Sequence, residues 1–305
     1  MNPTMVREAA SRIAGRVRRT PILTTEIAGR RVHLKLELLQ HTGSFKPRGA
    51  FNRVLGEERI PEAGVLAASG GNHGAALAYV ARSLGIPCEI FVAEVTPEIK
   101  RRNIARHGAK VTVGGPLYAD ALEMSLQRAE ETGALEIHAY DHPQTVAGQG
   151  TMAAEIDEQI PGVGTVYMAA GGGGFIGGAA AWWEGSVELV SVEPEGAPTV
   201  SAALQAGRPV AVEVSSLAAD SLGSKTVGHY PFEAISRGVT QSVLVSDDAI
   251  REAQRYLWDE TRLIAEPGGA AALAGLLGGA FEPQRRGEVV VVVCGANCDP
   301  ATVTG

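Results

Sequence analysis

Short apolar runs alternate with segments of helical spacing through most of this chain, and that alternation restricts what it can fold into. Residues 32–36, 65–68, 89–92, 110–113, 136–139, 165–170, 187–192 and 289–294 read as strands. Segments 48–55, 75–84, 98–107, 118–132, 176–183 and 249–263 read as helices. Strand and helix in turn imply βαβ units, and runs that are apolar throughout imply strands covered on both faces, as in parallel sheets. Eight such strands suffice for one sheet or for two sheets around a cleft. No tandem repeat or low-complexity tract interrupts the pattern. The N-terminal segment carries Arg7, Arg12, Arg16, Arg18 and Arg19, as a transit peptide would, but Glu8 breaks the basic run and Thr20-Pro21 is a helix stop. A structural first helix running toward residue 20 is the expectation.

Charge and composition then remove several classes of function. A net charge of -7 leaves no basic excess for a nucleic-acid backbone. The run 289–294 is strand-length and far too short to span a bilayer. Cys88, Cys294 and Cys298 cannot all pair and lack the spacing of a disulfide scaffold or a zinc site, which suits a reducing cytoplasm.

Four segments place backbone donors or a reactive group beside an element end. In Ser44-Phe45-Lys46-Pro47-Arg48-Gly49-Ala50, Lys46 opens a helix beside an aromatic ring. A lone lysine is ordinarily a solvated one. Here partial desolvation would lower the proton affinity of the amine and suit it to Schiff-base chemistry. Ser69-Gly70-Gly71-Asn72-His73-Gly74 joins a strand to a helix. It reads equally as a capped loop or as an anion site, because helix N-termini leave N–H groups free. Gly171, Gly172, Gly173 and Gly174 precede Phe175 at another strand-to-helix turn. Four glycines sacrifice folding entropy, which points to close approach of a phosphate. The same stretch, from Gly172 to Gly177, also satisfies GxGxxG, with Glu193 about 20 residues on, so an NAD-binding Rossmann dehydrogenase is a competing reading. The fourth segment, Cys294-Gly295-Ala296-Asn297, ends the last strand; a buried apolar cysteine is its ordinary reading.

Taken in order, these segments resemble the serine/threonine dehydratase group of the fold-type II pyridoxal-phosphate enzymes. The resemblance runs from Arg19-Thr20-Pro21 to the Cys294 turn. It implies an α/β fold of two open parallel-sheet domains with the cofactor cleft between them. Residues 1–52 and 143–305 would form the larger, cofactor-binding domain, and 53–142 a smaller mobile one. Lys46 would carry pyridoxal 5'-phosphate and act as the catalytic base. Phe45, Asn72, Gly171 to Gly174, Phe175, Glu266 and Cys294 would surround the cofactor, and Ser69, Gly70, Asn72 and His73 would receive the substrate carboxylate. Glu193, Ala197 and Thr199 resemble a cation site, for which a monovalent ion such as potassium is expected. Two departures matter. Cys294 stands where many members place Ser or Thr against the pyridine nitrogen, and Gly70 stands where racemases carry a serine that serves as acid and base. The implied activity is β-elimination of ammonia from L-threonine or L-serine by a cytoplasmic homodimer. Serine racemisation and other fold-type II lyase reactions are the alternatives.

Overall fold

The computed structural model describes residues 1–304. Helix α1 (Pro3–Arg12) starts under the Asn2 cap and stops at Arg12, well short of Thr20. Two causes combine: Ile13 turns inward to join a hydrophobic core of residues far along the chain, and Gly15 adopts a left-handed φ of 71°. A hairpin of β1 (Ile22–Ile27) and β2 (Arg30–Lys35) follows. Two short 3-10 turns, Glu37–Leu39 and His41–Gly43, lead to α2 (Pro47–Leu55). Next come β3 (Val65–Ala68), α3 (Asn72–Leu84), β4 (Cys88–Val92), α4 (Glu98–Ala105), β5 (Lys110–Val113), α5 (Tyr118–Thr132) and the two-residue β6 (Leu135–Glu136). The strand expected to run to 139 ends at 136 because His138 Nδ1 accepts from the N–H groups of Tyr140 and Asp141, folding the chain into a turn. After α6 (Pro143–Gln159) the chain forms β7 (Val163–Ala169), α7 (Gly174–Trp183), β8 (Glu188–Pro194), α8 (Thr199–Ala206), α9 (Ala219–Leu222) and α10 (His229–Gly238). It closes with β9 (Val239–Val245), α11 (Asp247–Thr261), α12 (Pro267–Leu277), β10 (Glu288–Val292) and α13 (Ala301–Thr304).

The strands assemble into two sheets. One has six strands in the order β1-β2-β10-β7-β8-β9, parallel except for the β1–β2 hairpin. The other has four parallel strands in the order β5-β4-β3-β6. Each sheet has its own core. Val290, Val291, Tyr167 and Leu189 lie in the first; Ile90, Leu77 and Val80 lie in the second, together with Phe51 and Val54 from α2. Ligands of open α/β sheets bind beyond the carboxyl ends of parallel strands. Here the residues after β3, β7 and β10 all meet at one cleft.

Candidate active site

Lys46 is delivered to this cleft by a rigidly held helix start. Ser44 bridges Gly295, and the Phe45 N–H donates to the Cys294 carbonyl at 3.2 Å. Two residues on, the buried Arg48 guanidinium forks onto Glu37 with two 2.8 Å bonds and reaches Glu155 at 2.7 Å and 2.9 Å. Lys35 completes this buried group by bonding Glu155 at 2.8 Å. Two cations and two carboxylates thereby balance where unpaired charge would be costly. The Lys46 Nζ donates to the Ala139 carbonyl at 3.2 Å and lies 5.1 Å from the centre of the Phe45 ring. Phe45 in turn stacks on Phe175 at 3.8 Å. Burial lowers the amine to about 8, although Cys294 and Glu266 pull it upward.

Opposite lies the glycine turn between β7 and α7. A side chain is excluded here by protein rather than by ligand alone: a Cβ on Gly172 would fall 2.6 Å from the Tyr140 ring, and Gly173 has a φ of 88°. The first three N–H groups of α7, at Gly174, Phe175 and Ile176, precede the first i→i−4 bond and have no acceptor within the helix. A helix start of this kind is suited to an anion.

Asn72 begins α3 and joins the two sheets. Its Nδ2 donates to Glu266 Oε1 at 2.6 Å, and its Oδ1 accepts from Asn297 Nδ2 at 2.6 Å. Burial pushes the Glu266 carboxyl up to about 7, against the pull of the Asn72 hydrogen bond. A Cβ on Gly295 would meet Glu266 Oε1 at 1.9 Å, so any larger residue there displaces the carboxyl that bonds Asn72. The Cys294 thiol donates to the Gly268 carbonyl at 3.4 Å; burial and the nearby Glu266 push its pKa far up, so it is a neutral group. Gly70 and Gly71 line a second, polar recess beside this cleft, where Lys100 pairs with Asp220 at 2.6 Å across the two sheets. Thr96 packs on Gly70 so closely that a Cβ there would lie 2.6 Å from both its Oγ1 and its Cγ2.

The chain matches the family described as "Pyridoxal-phosphate dependent enzyme" over residues 13–295. It belongs to that family. It is 34% identical over 303 residues to the L-threonine ammonia-lyase of Thermotoga maritima, covering 96% of this chain and 75% of the relative. It is also 34% identical to the serine racemase of Arabidopsis thaliana, covering 96% of this chain and 92% of the relative. The structure of maize serine racemase superposes with a TM-score of 0.93 at 30% identity, covering 99% of this chain and 95% of that one. Both sheets thus match the two-domain architecture of a fold-type II pyridoxal-phosphate enzyme.

The cleft suits the cofactor of this family. It combines an amine of lowered proton affinity, an anion-binding helix start, two aromatic rings and a neutral thiol among its walls. Phe45, Lys46, Asn72, Gly171 to Gly174, Phe175, Glu266 and Cys294 all line it. The loop after β3 is less uniform. His73 is not on the cleft wall. Its Nε2 bonds the Ile137 carbonyl at 2.7 Å, and burial lowers its pKa to about 3, so it is a neutral ring tying α3 to the chain after β6. Ser69 Oγ accepts from the Gly71 N–H at 3.4 Å within its own loop. The dinucleotide reading fails on Glu193. That carboxylate is fully buried and accepts from the Val200 and Ser201 N–H groups at 2.7 Å and 2.8 Å, anchoring the start of α8 instead of reaching a ribose. Burial raises it to about 7. Ala197 and Thr199 lie in the same turn, where the Thr199 N–H donates to the Ala197 carbonyl at 3.0 Å and its hydroxyl to the Ser224 carbonyl at 2.7 Å.

Tyr140, Gln149, Ser221, Leu222 and Ser224 also line the cleft, and sequence reasoning missed them. None sits in a motif. Each reaches the site through packing between elements far apart in the chain.

Proposed function

We propose that this enzyme deaminates L-threonine, L-serine or both by β-elimination, giving a 2-oxo acid and ammonia. What carries the reading is Lys46, a half-buried residue whose amine is lowered to about 8 by desolvation in a cleft whose other walls supply a helix start suited to an anion and a neutral thiol. Bound pyridoxal phosphate supplies the electron sink that makes the α-proton of an amino acid acidic. Lys46 would hold it, and the Lys46 amine would take that proton as a positioned base. The N–H groups at 171–175 hold the phosphate. The N–H groups of 69–72 and the Asn72 amide receive the substrate carboxylate, brought over by the body 53–142 as it closes on 1–52 and 143–305. Cys294, its neutral thiol on the Gly268 carbonyl, would offer the cofactor ring nitrogen no counter-charge, and Glu266 holds Asn72 in place. Glu193, Ala197 and Thr199 form a potassium site that stiffens the turn before α8. Three free cysteines suit a reducing cytoplasm.

Racemisation is the second reading, since serine racemases are among the relatives. It needs an acid on the face of the α-carbon away from Lys46. Gly70 brings no side chain, and Thr96 fills the space that one would take, which favours elimination. The direct test incubates the cofactor-loaded enzyme with L-threonine and L-serine and measures 2-oxo acid, ammonia and the D-isomer. D-serine forming faster than pyruvate would reverse the assignment.

A further inference from the structure

We infer that Asn297 is a positioning residue of the reaction: it sets which end of the Asn72 amide faces Glu266, and so keeps an Asn72 N–H available to the substrate carboxylate. This rests on Asn72 receiving that carboxylate, as proposed above. Asn297 lies in the turn after β10 and lines the polar recess beside the cleft together with Gly70, Gly71, Asn72 and Glu266. The two ends of an amide have nearly the same shape and differ in what they bond, so partners must fix the orientation of Asn72. Glu266 alone cannot do so. Burial raises that carboxyl to about 7, so near neutrality it is present both as an acceptor and as an O–H donor, and suits either end.

Asn297 removes the ambiguity through the backbone. Its Nδ2 donates to the Thr42 carbonyl at 2.7 Å. A carbonyl oxygen only accepts, so the nitrogen end of Asn297 has to face it. The second hydrogen of the same Nδ2 goes to Asn72 Oδ1 at 2.6 Å. Asn72 therefore presents its oxygen to Asn297 and its nitrogen to Glu266 Oε1, also at 2.6 Å. One Asn72 N–H is spent on Glu266, and the other is left for a ligand. The anchor is itself held. Thr42 has a φ of 64° and Gly43 one of 75°, and the Ala296 N–H donates to the Gly43 carbonyl at 2.9 Å. Thr42 sets Asn297, and Asn297 sets Asn72. Lys46, Lys100, Asp220, Cys294 and Cys298 are the titratable groups around Glu266, and Asn297 adds no charge to them.

The test uses the cofactor-loaded enzyme and L-alanine, which carries the substrate's carboxylate and no leaving group; its dissociation constant is measured by calorimetry. Asn297→Ala removes the anchor without adding charge. It should weaken L-alanine about tenfold, as for one hydrogen bond to a charged group. In an Asn72→Ala background the same change should cost under about twofold, because no amide is left to orient. An equal loss in both backgrounds overturns the inference, as does no loss in either. Asn297→Asp gives a second readout that needs no substrate. Its carboxylate would reverse the Asn72 amide, turning Oδ1 to Glu266, which must then keep its proton. A carboxyl raised in the folded state loses stability as pH climbs from its unfolded value to its folded one. The melting temperature of Asn297→Asp should therefore fall relative to the parent between about pH 7 and pH 9, and most of that fall should vanish when Asn72 is alanine. Melting that runs parallel to the parent, or falls equally without Asn72, overturns the inference. If Asn297→Asp does not fold, the alanine cycle decides. A parent that fails to deaminate L-threonine and L-serine would instead sink the proposed function, and the melting comparison is read independently of it.

Discussion

Placing a serine at position 70 tests the steric basis for elimination over racemisation. In Gly70→Ser the new Cβ lands 2.6 Å from Thr96 Oγ1 and Cγ2 and 3.2 Å from Thr96 Cβ. Carbon–carbon contacts settle near 3.5–4.0 Å, so two atoms must move, and overpacking of this kind costs about 1–3 kcal/mol. Thr96→Ala deletes those two atoms and leaves only the 3.2 Å contact, which a small backbone adjustment absorbs. Thr96 is half-buried, so its own truncation should cost under about 1 kcal/mol. The four proteins of the cycle should therefore show a coupling of about 1–2 kcal/mol, read as a melting-temperature recovery of about 2–4 °C in the double variant relative to Gly70→Ser. Chiral chromatography after incubation with L-serine adds the functional reading. The double variant should form D-serine beside pyruvate, while Gly70→Ser alone should lose elimination without gaining racemisation. If Gly70→Ser melts with the parent and racemises without help from Thr96→Ala, Thr96 does not occupy that space and the argument fails.

Three further outcomes are expected. Lys46→Ala should abolish deamination at unchanged melting temperature, and borohydride-reduced parent should carry its pyridoxyl label on Lys46 alone; a label elsewhere sinks the assignment. Glu193 is raised to about 7 from an unfolded value of about 4.3, so the folded state loses stability as pH rises between the two, and a bound cation offsets that loss. Potassium should accordingly raise the melting temperature more than sodium or tetramethylammonium at pH 8 and make little difference at pH 5, whereas equal melting in all three salts at pH 8 counts against a site. Cys294→Asp would place a counter-charge at the ring nitrogen, and should slow elimination about tenfold, equivalent to 1.4 kcal/mol of barrier, with new side transamination, while Cys294→Ser keeps most activity. An aspartate variant that binds cofactor and eliminates at the parental rate would place Cys294 away from the ring.

The strands that were legible in the sequence are mostly those whose neighbours cover them. β3 is buried at every position and β10 at all but its first, and they read as unbroken apolar runs; β8 is also buried throughout, with Ser191 and Glu193 inside it. β1 and β9 close the two edges of the larger sheet and are exposed at Thr24, Thr240, Gln241 and Leu244, so their residues follow no continuous apolar pattern. Helices with one apolar face, such as α11, announce themselves through their period. α12 is apolar all round because it is buried all round, which removes the period that would reveal it. The early end of α1 depends on Ile13 finding a core built from residues 50–137, a contact that no local pattern contains.

The site divides along the same physical line. Lys46, the glycines before α7 and Cys294 were legible because each obeys a backbone demand at an element end, and such demands leave a trace in neighbouring residues. His73 satisfied the same local pattern, yet its ring turns into the protein, because the second residue of α3 faces the chain after β6 rather than the cleft. Thr96 and Gln149 escaped sequence reasoning for the opposite reason. Each matters only through a bare glycine brought against it from a distant segment, Gly70 for Thr96 and Gly49 for Gln149. In both pairs the glycine looked like part of a motif, while the partner looked like any loop threonine or helix glutamine. The motif glycines of this chain therefore carry two kinds of information at once: room for a ligand on one side, and room for a particular side chain on the other. The second kind becomes readable only once elements far apart in the sequence are packed together, as Gly70 after β3 and Thr96 after β4 are within one sheet.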